Sequence, residues 1–186
     1  IAILLFVCLA ILARFVPYFS IDLYITRTFQ ETRSGFFYPL FYAVSWIGYM
    51  PQFPVIMLFI SFFIFLLGSR WESLVLLAAG MGSAIIAAFT KEFINRPRPS
   101  VDLVTVLHHL NDTSFPSGHV VHYVVFFGFI LMVMILNKSI PSIVRWIGGI
   151  FSVFMMTGVS VSRIYLGTHW ATDILVAYII GLFILT

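Results

Sequence analysis

The sequence predicts an all-α polytopic membrane protein, a six-transmembrane-helix bundle with interfacial helices between the first and second spans. Three observations predict it. Of 186 residues, 61% are hydrophobic and only 9% charged, whereas soluble chains carry roughly a quarter charged residues. Mean hydropathy is +1.08. Asp, Glu, Lys and Arg are absent from 1–13, 34–69, 73–90, 113–137, 146–162 and 174–186, and about 20 helical residues cross a ~30 Å hydrocarbon core. Phe and Leu dominate these runs without period-2 alternation, which argues against a β-barrel.

In chain order, the spans are expected at 1–18, 51–69, 73–90, 119–136, 143–161 and 169–186. Two connections, 68–73 and 137–142, are short. Three others, 19–50, 91–118 and 162–168, fall on the opposite membrane face because each span reverses the chain. The segment 19–50 mixes Asp22, Arg27, Glu31 and Arg33 with Tyr24, Phe29, Phe36, Phe37, Tyr38, Phe41, Tyr42 and Trp46. That mixture suits helices lying in the headgroup zone, as an anchor first and a lateral doorway for a lipid second. No repeat or linker divides the chain, so 1–186 is read as a single domain. The ends, Ile1 and Thr186, suggest trimming on both sides.

The same composition excludes other classes. Cys8 is the only cysteine, so no intramolecular disulfide forms. The net charge of +3 is small and its cations are scattered, so no nucleic-acid partner is expected. The expected partners are membrane lipids, with no obligate protein partner. Charge counting is ambiguous about orientation. The short-loop face holds Arg70, Lys138 and Arg145, and the long-loop face Arg27, Arg33, Lys91, Arg96, Arg98 and Arg163. Taken literally this puts the long loops in the cytoplasm, but charges kept for chemistry carry no topological vote.

Titratable groups at membrane depth are costly, so each is a site hypothesis. They gather in three segments: Lys91 to Pro99, Ser114 to His119, and Ser162 to Asp173. Span counting places all three on one face. Lys91, Arg98 and Arg163 together need an anion, and guanidinium forks suit phosphate oxygens. Ser117, Gly118 and His119 offer N–H groups at a helix N-terminus, where anions are favoured. His169 and Asp173, four residues apart, would share a helix face. The carboxylate would then accept from one imidazole nitrogen and leave the other as nucleophile. His119 would protonate a leaving alkoxide. Glu92, Asp102 and Asp112 lie singly, so no metal site and no cofactor are expected.

These segments, Lys-x6-Arg-Pro, Pro-Ser-Gly-His and Ser-Arg-x5-His-x3-Asp, resemble the signature of the type-2 phosphatidic acid phosphatase superfamily. The matches are Lys91/Arg98/Pro99, Pro116 to His119, and Ser162/Arg163/His169/Asp173. The resemblance implies a phosphohistidine at His169, supported by Asp173, with His119 as general acid and then base. It also implies that Lys91, Arg98, Ser117, Gly118 and Arg163 hold the phosphate. An integral membrane lipid phosphatase follows, with phosphatidylglycerol phosphate and undecaprenyl diphosphate the leading substrates and phosphatidic acid an alternative. By family analogy its site faces the extracytoplasmic side of a cell membrane. A phosphotransferase using the same histidine, or a non-enzymatic lipid-phosphate carrier or sensor, are the rival readings.

Other residues receive bland assignments. Arg96 is read as a headgroup contact or helix C-terminal charge, outside the catalytic set. His108 and His109 are read as solvated, and His122 as packing. Tyr165 and Trp170 are read as interfacial rings. Gly80-x3-Ala84 and Gly148-Gly149 are read as close helix contacts.

Overall fold

The computed structural model describes residues 2–32 and 35–186. Ile1, placed in the first span above, and Arg33, counted among the long-loop charges, lie outside the described residues together with Ser34. The regular structure is helical: α1 (Ala2–Phe15), α2 (Ser20–Glu31), α3 (Phe37–Trp46), α4 (Gln52–Leu66), α5 (Arg70–Ile94), α6 (Gly118–Leu136), α7 (Ser142–Tyr165) and α8 (Ala171–Leu185). Each expected span finds its helix, and α2 and α3 fill the segment predicted to be interfacial.

α6 is the centre. It packs against α5, α7 and α8 and buries Val120, Val121 and Tyr123 through Phe129. A helix apolar all round needs neighbours all round. α5 and α7 instead show lipid-type residues on their outer sides, among them Leu74, Ile85, Phe89, Ile147, Ile150 and Phe154. Two glycine contacts expected from the sequence are present. A Cβ on Gly80 would overlap the Met57 thioether of α4, and one on Gly148 would overlap Met134 of α6, so these positions set how closely the helices approach.

α5, α6 and α7 are each long and apolar enough to cross a membrane. α4 and α8 are apolar but 15 residues long, and α1 has 14, so each measures about 21–23 Å. Among the described residues, length and composition therefore give three crossings, or four if the bent pair α1 and α2 counts as one; six requires the short helices to span as well. The 87° bend between α1 and α2 lays α2 across the end of the bundle. Its exposed side carries Ile21, Tyr24 and Phe29, and its buried side Asp22, Thr26 and Gln30.

Two boundaries differ from expectation where it matters. α5 runs on past residue 90 to Ile94 and stops where Asn95 turns left-handed (φ 52°), because Pro97 cannot continue the helix. Lys91 is thus on the last helical turn. α8 begins at Ala171 with Trp170 as its N-cap, so His169 precedes the helix instead of heading it.

Candidate active site

The C-terminus of α5, the N-terminus of α6, the end of α7 and the turn into α8 meet at one end of the bundle. His169, 1% exposed, sits in their midst. Its Nδ1 lies 2.7 Å from the Ser114 carbonyl oxygen and its Nε2 3.0 Å from Arg98 Nη1. A carbonyl can only accept and a guanidinium can only donate, so Nδ1 carries the proton and Nε2 holds the lone pair. The imidazole pKa is pushed well below its ordinary value, first by burial and then by the charges of Arg98, Arg163, Lys91 and His119. His169 is a neutral base among cations.

The expectation that Asp173 orients His169 directly is corrected by the geometry. Asp173 Oδ2 stands 3.7 Å from Nδ1, beyond hydrogen-bond reach. As residue N3 of α8, Asp173 instead accepts the Trp170 N–H at 2.9 Å, and it also accepts the Ser114 hydroxyl. Its other oxygen takes Arg96 Nη1 at 2.6 Å. Because the helix starts two residues after His169, the face-sharing of residues four apart does not apply. Asp173 therefore acts through Ser114, holding the residue whose carbonyl accepts the imidazole Nδ1–H.

Arg96 is likewise no headgroup contact. It is 0% exposed and bridges Asp173 to Asp22 of α2, with Nη2 2.8 Å from Asp22 Oδ2. Asp22 also accepts the Thr172 N–H at 2.9 Å. Gln30, two turns along α2, donates to the carbonyls of Thr105 and Tyr165 and accepts the Thr105 N–H. The helix expected to be an anchor or doorway braces the loops that carry the site.

The cations converge from three elements. Lys91 Nζ donates to the Thr113 carbonyl and lies 2.9 Å from Asp112 Oδ2; Arg98 Nη2 lies 2.6 Å from Asp112 Oδ1. Asp112 thus bridges two of the cations. Partial burial opposes its ionisation, but Lys91 and then Arg98 outweigh that and hold its carboxyl below the usual carboxylate range. Arg163, fully buried on the last turn of α7, donates through Nη1 to Ser45 Oγ (3.3 Å) and Tyr49 OH (3.0 Å). It does not pair with Asp173.

Among the described residues, four buried polar atoms around the same end have no partner: Ser117 Oγ, His119 Nε2, and Arg163 Nε and Nη2. Orphaned buried polar atoms are costly, and here they belong to Ser117 and Arg163, which the sequence reading assigned to phosphate, and to His119, which it assigned to proton transfer. The Lys91 stem approaches Gly118, where the first turn of α6 leaves N–H groups without helical acceptors. Together these groups make a setting suited to an anion. Among the described residues no group of three or more His, Cys, Asp or Glu side chains is placed to hold a metal.

The sequence profile of the PAP2 superfamily matches residues 72–186, which contain every one of these motif residues. The chain belongs to that superfamily. Over 117 residues it is 32% identical to phosphatidylglycerophosphatase B of Bacillus subtilis, a match covering 60% of this chain and 54% of that protein. The chain thus aligns with about half the length of that curated relative. The crystal structure of a transmembrane PAP2-type phosphatidylglycerolphosphate phosphatase from Bacillus subtilis superposes with a TM-score of 0.85 at 23% identity. That superposition covers 98% of this chain and 90% of the other. The crystal structure of Aquifex aeolicus LpxE gives 0.68 at 22% identity, over 91% and 94%. This PAP2 chain therefore shares the fold of a transmembrane PAP2-type phosphatase.

Several residues of the PAP2 site went unnoticed in the sequence. Tyr49 lies edge-on to His119, with ring centroids 4.7 Å apart, and His108, read as solvated, packs on Tyr49 at 5.2 Å. A Cβ on Gly48 would strike the His119 ring, so glycine makes room for the second histidine. Ser162, a motif residue, donates to the Phe41 carbonyl and so ties α7 to α3. Tyr165 and Trp170, expected at the interface, are buried, with Trp170 donating to the Pro97 carbonyl at 3.3 Å. His122 does pack, stacked on Phe53 and bonded to Ser83. Gly48, Tyr49 and Asp112 carried no signal that periodicity or motif spacing could expose.

Proposed function

We propose that this PAP2 protein is a membrane lipid phosphatase that works through a phosphohistidine. The observation that carries the proposal is the pairing of a neutral His169, its Nε2 lone pair turned to Arg98 of the clamp, with partnerless side-chain atoms of Ser117, His119 and Arg163. A carrier or sensor would use the clamp but has no need of an imidazole held in one tautomer. His169 Nε2 forms a bond to phosphorus while the bond to the leaving oxygen breaks. Lys91, Arg98, Arg163, Ser117 and the Gly118 N–H stabilise the oxygens of the transferring group. With the phosphate's negative charge offsetting the cations around it, His119 takes up a proton and delivers it to the leaving oxygen. Water then attacks phosphorus, His119 takes its proton, and the P–N bond breaks.

The substrate class is a lipid phosphate, with phosphatidylglycerol phosphate first, as the name of the curated relative suggests, and undecaprenyl diphosphate second. The apolar flanks of α1, α4 and α5 keep a lipid tail at hydrocarbon depth while the phosphate reaches the bundle end. The site is assigned to the extracytoplasmic face of the cell membrane, and the chain to six crossings. The test is phosphate release from both lipids and from phosphatidic acid by purified protein, with a chelator present. Turnover is expected to survive the chelator and to fall at least about a thousandfold in His169→Ala. Retained turnover in His169→Ala would overturn the mechanism.

A further inference from the structure

We propose that Asp112 is a resident anion, seated on the clamp nitrogens that a phosphate takes, so that substrate binds by exchanging one anion for another. This rests on the phosphatase reading above and adds a residue that determines how tightly its substrates are held. The carboxylate spans the two cations, with Oδ2 2.9 Å from Lys91 Nζ and Oδ1 2.6 Å from Arg98 Nη2. Two carboxylate oxygens shared between an ammonium and a guanidinium reproduce two contacts of a tetrahedral oxyanion. Neither cation needs the carboxylate to be positioned. Lys91 donates to the Thr113 carbonyl, and Arg98 donates to the carbonyls of Asp112 (2.8 Å) and Thr168 (2.5 Å). What the side chain adds is charge.

Asp112 is also free to leave. Its side chain is 56% exposed, on the loop between α5 and α6, so the displaced carboxylate moves into water. In the seated state Arg98 Nη1 covers the Nε2 lone pair of His169. A phosphate that draws both Arg98 nitrogens onto its own oxygens displaces Asp112 and uncovers the nucleophile in one movement. The return of Asp112 after hydrolysis helps to expel orthophosphate. Affinity for any phosphate is accordingly reduced by the strength of the Asp112 contacts.

The test compares wild type, Asp112→Asn and Asp112→Ser, the second variant guarding against a rearranged amide. Orthophosphate binding is measured by calorimetry in a His169→Ala background, and KM and kcat on a lipid phosphate with His169 intact. Removing the charge is expected to tighten orthophosphate roughly threefold to tenfold and to lower KM similarly, without raising kcat. Unchanged or weaker orthophosphate binding in both variants would overturn the proposal, because it would mean that the carboxylate only props the cations in place. Failure of the phosphatase reading shows elsewhere, as a wild-type protein that releases no phosphate from any lipid, and leaves the calorimetric comparison standing.

Discussion

His169 has two nitrogens with opposite duties, and both are set by neighbours that can play only one part. The Ser114 carbonyl accepts a hydrogen bond from Nδ1–H and the Arg98 guanidinium faces the Nε2 lone pair. Protonating Nε2 would place one more positive charge, buried, beside Arg98, Arg163 and Lys91. Burial and those charges both favour the neutral form, so as pH falls through the ordinary histidine value of about 6.5 the nucleophile keeps its lone pair. Nitrogen-15 NMR of histidine-labelled protein, with His169→Asn used to assign the signal, should show His169 neutral and protonated at Nδ1 well below that pH. A His169 signal titrating at the ordinary value would contradict this account of the site.

The helices are joined at the site end by charge as well as by apolar packing. Arg96, just past the end of α5, holds Asp22 of α2 and Asp173 of α8, and all three side chains are fully buried. Removing one member of such a network leaves the others uncompensated, at a cost of about 3–5 kcal/mol. Arg96→Ala is therefore expected to lower the thermal denaturation midpoint in detergent and to lower turnover with it. His169→Ala, which removes no ion pair of this network, should lose turnover while keeping its midpoint. Equal midpoints for Arg96→Ala and wild type would refute the bracing role. Gly167 contributes at the same junction. Its φ of +66° turns the chain from α7 toward α8, and a Cβ there would meet the Thr105 backbone.

Across the whole molecule, the charged residues of the loops and helix ends divide between two ends. Lys91, Asp112, His119, Arg163 and His169 gather at one, while Arg70, Lys138 and Arg145 mark the other. Arg145 and Lys138 satisfy carbonyls at the end of α6, including Met134 and Ile135. With Cys8 replaced by Ser, single cysteines at Asn111 and at Lys138 report the sidedness. A membrane-impermeant thiol reagent on intact cells should label the cysteine at Asn111, and should reach the one at Lys138 only after permeabilisation. The reverse pattern would place the site in the cytoplasm, as literal charge counting has it.

Much of this was legible from residue order. Ionisable side chains are so costly at membrane depth that Lys91, His119, Arg163 and His169 declared themselves, and chain reversal at each span put them on one face. The helical fold followed from charge-free runs whose backbone must satisfy itself inside lipid. Tertiary structure decided who pairs with whom. Asp22 and Arg96 are 74 residues apart, and Arg96 and Asp173 are 77 apart. The partners of a buried charge depend on how loops between helices return, which no local pattern encodes. A shift of two residues in the start of α8 was enough to turn Asp173 from the partner of His169 into the partner of Arg96. Residue chemistry is written in the chain, but the distance between two charges exists only after folding.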